Sequence, residues 1–162
     1  MRVLRPPGLS SLYRAQTIAG LVVAADLLTK RWASTVFAEG PRTVIEGVLW
    51  FRFAENSGAA FSLFQNAGPW LGMAAVVVLG VVMNALTRPR PLYEVVGFGL
   101  VMGGALGNLS DRIFRGAGFL DGRVVDWIQL LFIPTFNLAD AAINVGVAAL
   151  LMGSWIGSWK RA

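Results

Sequence analysis

The chain has 162 residues, 56% of them hydrophobic and only 14% charged, with a mean hydropathy of +0.62. That balance excludes an ordinary soluble domain of this size. The formal net charge is +5, and there is no cysteine and no histidine. Disulfide frameworks, thiolate or zinc–histidine sites and His-dependent triads are therefore impossible, and any catalysis must come from Asp, Glu, Lys, Ser or Tyr.

The basic residues sit in short clusters beside apolar runs, which suits flanks facing membrane lipid and not a nucleic-acid surface. Arg2, Arg5 and Arg14 precede the first run. Its stretch up to Val23-Ala24-Ala25 resembles a signal peptide with a cleavage site. The run continues past Asp26 to Phe37, however, and makes a full span over about 17–37. Further spans are expected over about 69–86, 92–109 and 136–155, the third slightly short. The chain so reads as a single integral membrane domain over 1–162, a membrane all-α bundle of four transmembrane helices.

The segments at about 38–68 and 110–135 fall outside the membrane on one side. Thr43 to Phe64 is rich in β-branched and aromatic residues, and two or three short strands are expected there, broken at Asn56-Ser57-Gly58. Trp50, Phe51, Phe53, Phe61 and Phe64 suit the bilayer surface. Ser110 to Pro134 is polar first and then apolar, as if dipping back towards the membrane. Lys and Arg divide evenly between the two sides, seven each. Those on the side of the termini and of Arg88-Pro89-Arg90-Pro91 lie in much shorter segments, which places both termini in the cytoplasm.

Several groups of residues could carry chemistry. Asp26 and Lys30 are spaced i, i+4 and can form an ion pair within a span. The alternative is a Ser-Lys dyad with Ser57, Ser62 or Ser110, but a neighbouring aspartate works against a neutral lysine. Asn56 to Ser62 reads as a turn, or as a loop whose Asn56 amide and Gly58 backbone hold an extended peptide. Gly103 and Gly107 share a face, as in close helix packing. Asn108, Asp111 and Arg112 follow on one face, with Asp111 and Arg112 read as a structural pair. Asp126 and Asp140 have no basic residue between Arg123 and Lys160 to pair with. Asn137 precedes Asp140 by three residues, and Pro134 offers a turn that brings the two aspartates face to face. A pair sharing one proton would suit aspartic-protease chemistry. Two unrelated residues, or an ion path, fit the residues equally well.

The ordered motifs Asp26-Leu27-Leu28-Thr29-Lys30, Asn56 to Ser62, Gly103 to Arg112, Val124-Val125-Asp126 and Phe136 to Asp140 resemble those of lipoprotein signal peptidases, the bacterial signal peptidase II family. The resemblance extends over about 17–155. It implies an intramembrane aspartic endopeptidase of the bacterial inner membrane, with a small extracytoplasmic β-cradle, a short outer helix or loop, and its site near the outer leaflet. The implied substrate is a diacylglyceryl-modified prolipoprotein, cut just before the lipidated cysteine. Asp126 and Asp140 become the catalytic pair. Asn56, Gly58, Asn108, Arg112 and Asn137 become substrate-binding or bracing residues, and Asp26, Lys30 and Asp111 supporting ones. Globomycin-type peptides are implied inhibitors. Membrane lipid is the surrounding partner, a monomer is expected, and no metal, cofactor or nucleic acid is implied. The stretch 113–123 looks longer than is usual for the family, carries the extra Asp121, and is expected to extend a flexible loop over the site. A transporter would suit an inverted repeat, which is absent from the sequence. A non-catalytic assembly factor would tolerate loss of Asp126.

Overall fold

The computed structural model describes residues 9–58 and 67–159. Arg2, Arg5, Phe61, Ser62, Phe64 and Lys160, named above, lie outside the described residues. The elements run α1 (Leu9–Val36), β1 (Arg42–Ile45), β2 (Leu49–Asn56), α2 (Gly68–Ala85), α3 (Leu92–Phe114), β3 (Val124–Leu130) and α4 (Leu138–Trp159). Among the described residues, α2, α3 and the Leu138–Gly157 part of α4 are long and apolar enough to cross a membrane. Helix α1 has 28 residues, ample length for a span, but it carries charges. Its two central ones, Asp26 and Lys30, are fully buried against the rest of the bundle. Helix α3 continues past the expected end at 109 to Phe114. The extra turn is polar in sequence, yet Asp111 and Arg112 are buried there, so the helix does not need an apolar run to continue.

Helix α3 lies at the centre. Gly99, Gly103 and Gly107, spaced by four, form a smooth strip along one face. A side-chain carbon there would meet Ala15 and Ile18, then Ala19 and Val22, then Asp26, so α1 runs parallel to α3. Gly97 and Gly104 open a second strip. Carbons added there would meet Gly146 and Leu150, and then the Ala139 carbonyl and Ile143, so α4 runs antiparallel. Inside a bilayer apolar contact alone gives helices little reason to associate, so close backbone approach and polar bonds must hold them. The sequence identified part of the first strip and not the second. Helix α2 meets α3 near the Arg88–Pro91 turn, where Val82, Leu86 and Val95 pack together. Much of its remaining surface, including Trp70, Val76, Val77 and Val81, is exposed.

The three strands form one antiparallel sheet in the order β1-β2-β3. Segment 38–68 supplies two of them. The third comes from Val124–Leu130, where the sequence suggested a dip towards the membrane. Pairing with β2 satisfies that backbone without lipid. The sheet docks on the end of α1 through aromatic rings. Trp127 lies 5.4 Å from Trp32 and 5.1 Å from Phe51, both edge to face. Phe51 and Phe53 thus pack towards α1 and Trp127 and are half-buried there. The expected outer helix or loop is a loop over 115–123. Several contacts tie it to the bundle. Leu120, with φ of 54°, is buried against Gly72, and Gly122 N–H donates to the Arg112 carbonyl at 3.1 Å. Asp121 closes the loop on itself by accepting the Gly118 N–H at 2.9 Å.

Candidate active site

Strand β3 presents Asp126 and the first turn of α4 presents Asp140. Between them the chain folds back on itself. Ile128 N–H donates to the Phe136 carbonyl at 2.8 Å, and Phe136 N–H returns a bond to Ile128 at 2.9 Å. Leu131 takes φ of 51° in this turn, which also contains Pro134. Both aspartates consequently line one cavity of about 720 Å³. Its polar end also includes Asn56, Gly58, Asn108 and Arg112. Its apolar walls come from α2 (Leu71, Ala75, Val78), α3 (Val101, Ala105) and α4 (Ile143).

Three asparagines organise the pair. Asn137 is fully buried. Its Nδ2 donates to Asp126 Oδ1 at 2.7 Å, its backbone N–H donates to Asp140 Oδ2 at 3.1 Å, and its Oδ1 accepts the Asp140 N–H at 2.9 Å. Asn56 donates to Asp126 Oδ2 at 3.0 Å while its own Oδ1 accepts the Gly58 N–H at 3.0 Å. Asn108 donates to Asp140 Oδ1 at 2.7 Å. Every one of the four carboxylate oxygens therefore receives an N–H donor. A bulge in β2 between Phe51 and Ala54 sets the register that makes this possible. It places Ala54 opposite Asp126 and Asn56 opposite Val124, so Asn56 lies diagonally across from Asp126 on the same face.

Burial raises the Asp126 carboxyl from its ordinary 3.8 to about 7, and the nearby Asp140 charge adds to the rise. The Asn56 and Asn137 donors and the Lys30 charge oppose it. Asp126 therefore keeps its proton up to about neutral pH, the state in which one carboxyl can donate while the other accepts.

Behind the pair lies a buried ionic cluster. Lys30 Nζ contacts Asp26 at 2.7 Å, Asp111 at 2.9 Å and Asn108 Oδ1 at 3.0 Å. The Asp26–Lys30 pair expected from sequence is present, but Asp111 is a second partner that the spacing could not indicate. Asp111 also pairs with Arg115 at 2.7 Å and not with Arg112. Adjacent helical residues point about 100° apart, whereas i, i+4 neighbours stack on one face. Arg112 turns to the cavity instead, where its buried Nη1 has no hydrogen-bond partner among the described residues. None of the Lys30 contacts goes to Ser57 or Ser110, so the described residues contain no Ser-Lys dyad. Residue types alone gave no sign of two further participants, the backbone N–H groups of Val125 and Ala139. These bind Asp111 at 3.2 Å and Asp26 at 3.0 Å respectively.

Residues 18–156 match the family model described as signal peptidase (SPase) II. The chain is 42% identical over 146 residues to the lipoprotein signal peptidase of Thermosynechococcus vestitus, covering 85% of this chain and 89% of the relative. It is 43% identical over 142 residues to that of Rhodococcus jostii, covering 86% and 71%. Its fold is similar to a bacterial membrane enzyme solved by the in meso method at 2.3 Å, with a TM-score of 0.80 at 24% identity over 91% of each chain. A second such structure, at 1.9 Å, gives a TM-score of 0.73 at 27% identity, covering 86% of this chain and 90% of the other.

Proposed function

The chain belongs to the signal peptidase II family, membrane aspartic peptidases that remove signal peptides from prolipoproteins, and on that premise we propose that Asp126 and Asp140 are its catalytic pair. The observation that carries this reading is the set of four N–H donors, one on each carboxylate oxygen. They fix both groups, leave lone pairs to accept from a water, and leave room for one carboxyl O–H to donate to a scissile carbonyl. Asp126, raised to about 7, holds the proton and polarises the carbonyl. Asp140 takes a proton from the attacking water. As the carbon–nitrogen bond breaks, that proton passes to the leaving amine, and the water oxygen remains on the new carboxyl group.

The substrate is a diacylglyceryl-modified prolipoprotein, cut just before the lipidated cysteine. The apolar walls from α2, α3 and α4 accept hydrocarbon and apolar side chains, while Arg112 offers a substrate carbonyl a donor that has no partner among the described residues. Asn56, Gly58, Asn108 and Asn137 line or brace the same site. Globomycin-type peptides occupy this cavity in our reading.

The chain acts as one four-span domain and as a monomer in the bacterial inner membrane, with α1 as the fourth span. Both termini are cytoplasmic and the site lies near the outer leaflet. The basic residues on the side of the termini lie in much shorter segments, which supports this orientation.

Separate Asp126→Asn and Asp140→Asn variants, assayed on a diacylglyceryl-prolipoprotein in nanodiscs, test the pair. Each should fold and lose at least about 100-fold in kcat. Near-normal cleavage by either folded variant would remove the dyad.

A further inference from the structure

Lys30 lies behind the site and does not line its cavity. Its ammonium has three N–H donors. Three acceptors from two helices surround it: Asp26 of α1, and Asp111 and Asn108 of α3. Each of the three then reaches the dyad or its immediate backbone. Asp26 Oδ1 accepts the N–H of Ala139, the residue before Asp140. Asp111 Oδ2 accepts the N–H of Val125, the residue before Asp126. Asn108 donates directly to Asp140.

The Asn108 link has a direction. An ammonium only donates, so it requires the carboxamide oxygen to face Lys30, and the NH2 group must then face Asp140. Asn137 Nδ2 also approaches that oxygen, at 3.1 Å. It has only two hydrogens, however, for three acceptors, and the other two lie at 2.7 and 3.2 Å. Lys30, at 3.0 Å, is the charged donor to that oxygen.

We infer that Lys30 is the positioning residue of the aspartate pair, fixing the backbone before each aspartate and locking the Asn108 amide so that it donates to Asp140. The inference rests on the assignment of Asp126 and Asp140 as the dyad. The charged groups around Asp140 are Lys30 and Asp26 on α1, Asp111 and Arg112 on α3, and Asp126 on β3. Helix α2 carries no charged residue.

Removing Lys30 alone would leave the buried Asp26 carboxylate without a cation, so the test variant is the charge-balanced Asp26→Asn/Lys30→Met. The amide oxygen introduced at position 26 can still accept the Ala139 N–H, Arg115 still neutralises Asp111, and the lost charges cancel to first order. With diacylglyceryl-prolipoprotein in nanodiscs, kcat should fall about 100-fold with KM within about threefold. The acid limb of the kcat–pH profile should move to higher pH, because the charged pair loses an oriented donor. Asn108→Ala removes no charge and should move that limb the same way, and the triple variant should move it no further. A folded double variant with an unmoved limb overturns the inference, as does an additive shift in the triple variant. If the double variant does not fold, an unmoved limb in Asn108→Ala overturns it. Asp126→Asn and Asp140→Asn serve as the reference. If they still cleave, the dyad itself is wrong, whereas if they are inactive and the limb stays put, only the role of Lys30 fails.

Discussion

Asn56 reaches diagonally across the sheet from β2 and donates to Asp126 on β3 at 3.0 Å, yet the carboxyl it supports is not held in the ordinary carboxylate range. Burial and the Asp140 charge outweigh the donors and raise Asp126 to about 7. The sheet therefore maintains a carboxyl that favours its protonated form.

That raised value carries a stability cost with a definite sign. Between its ordinary 3.8 and about 7, Asp126 keeps in the folded chain a proton that it releases in the unfolded chain. Stability therefore falls as pH rises through that window and levels off above it. Asp126→Asn removes the cost, so the inactive variant should unfold at a higher temperature than the parent at pH 8. The two should converge near pH 4. Thermal unfolding in detergent across pH measures this, and an equal gap at both pH values would refute it. The same ionisation predicts that the parent's cleavage rate declines on the alkaline side near pH 7, when the pair loses its shared proton.

Gly104 sets the distance between α3 and α4. A side-chain carbon at this position would meet the Ala139 carbonyl, which is backbone and cannot rotate away. Gly104→Ala should therefore cost about 1–3 kcal/mol through overpacking and displace the turn that bears Asp140. Both melting temperature and kcat should fall. Gly80, in α2, has open space around it and provides the control. Gly80→Ala should leave both quantities near those of the parent.

Leu120 anchors the loop over 115–123. It is 8% exposed and packs on Gly72 near the start of α2. Leu120→Ala should cost about 2–5 kcal/mol, much of it as local opening of 115–123. Limited proteolysis or hydrogen exchange should detect faster opening there than in the α3–α4 interface. Unchanged protection of the loop would show that Asp121 and Gly122 hold it without Leu120.

Features that depend on local pattern are legible in the amino-acid order. Four long helices follow from apolar runs, the Asp26–Lys30 pair from i, i+4 spacing, and part of the α3 strip from its glycines. The chemical suspicion attached to Asp126 and Asp140 follows from carboxylates with no cation nearby in the chain. Their pairing as a catalytic dyad remained open on residues alone, and the family motifs favoured it. Whatever joins distant segments came from the fold. Folding placed 124–130 in the sheet as β3, because β2 was there to accept its backbone bonds. It turned Phe51 towards Trp127 and gave Asp111 to Lys30 and Arg115 in place of Arg112. It also joined Asp26 to Ala139 and Lys30 to Asn108, residues 113 and 78 positions apart. Such bonds have no local spacing to betray them. They form because α3 has glycines smooth enough for α1 and α4 to approach on two faces, and that close approach brings buried polar groups into reach of one another.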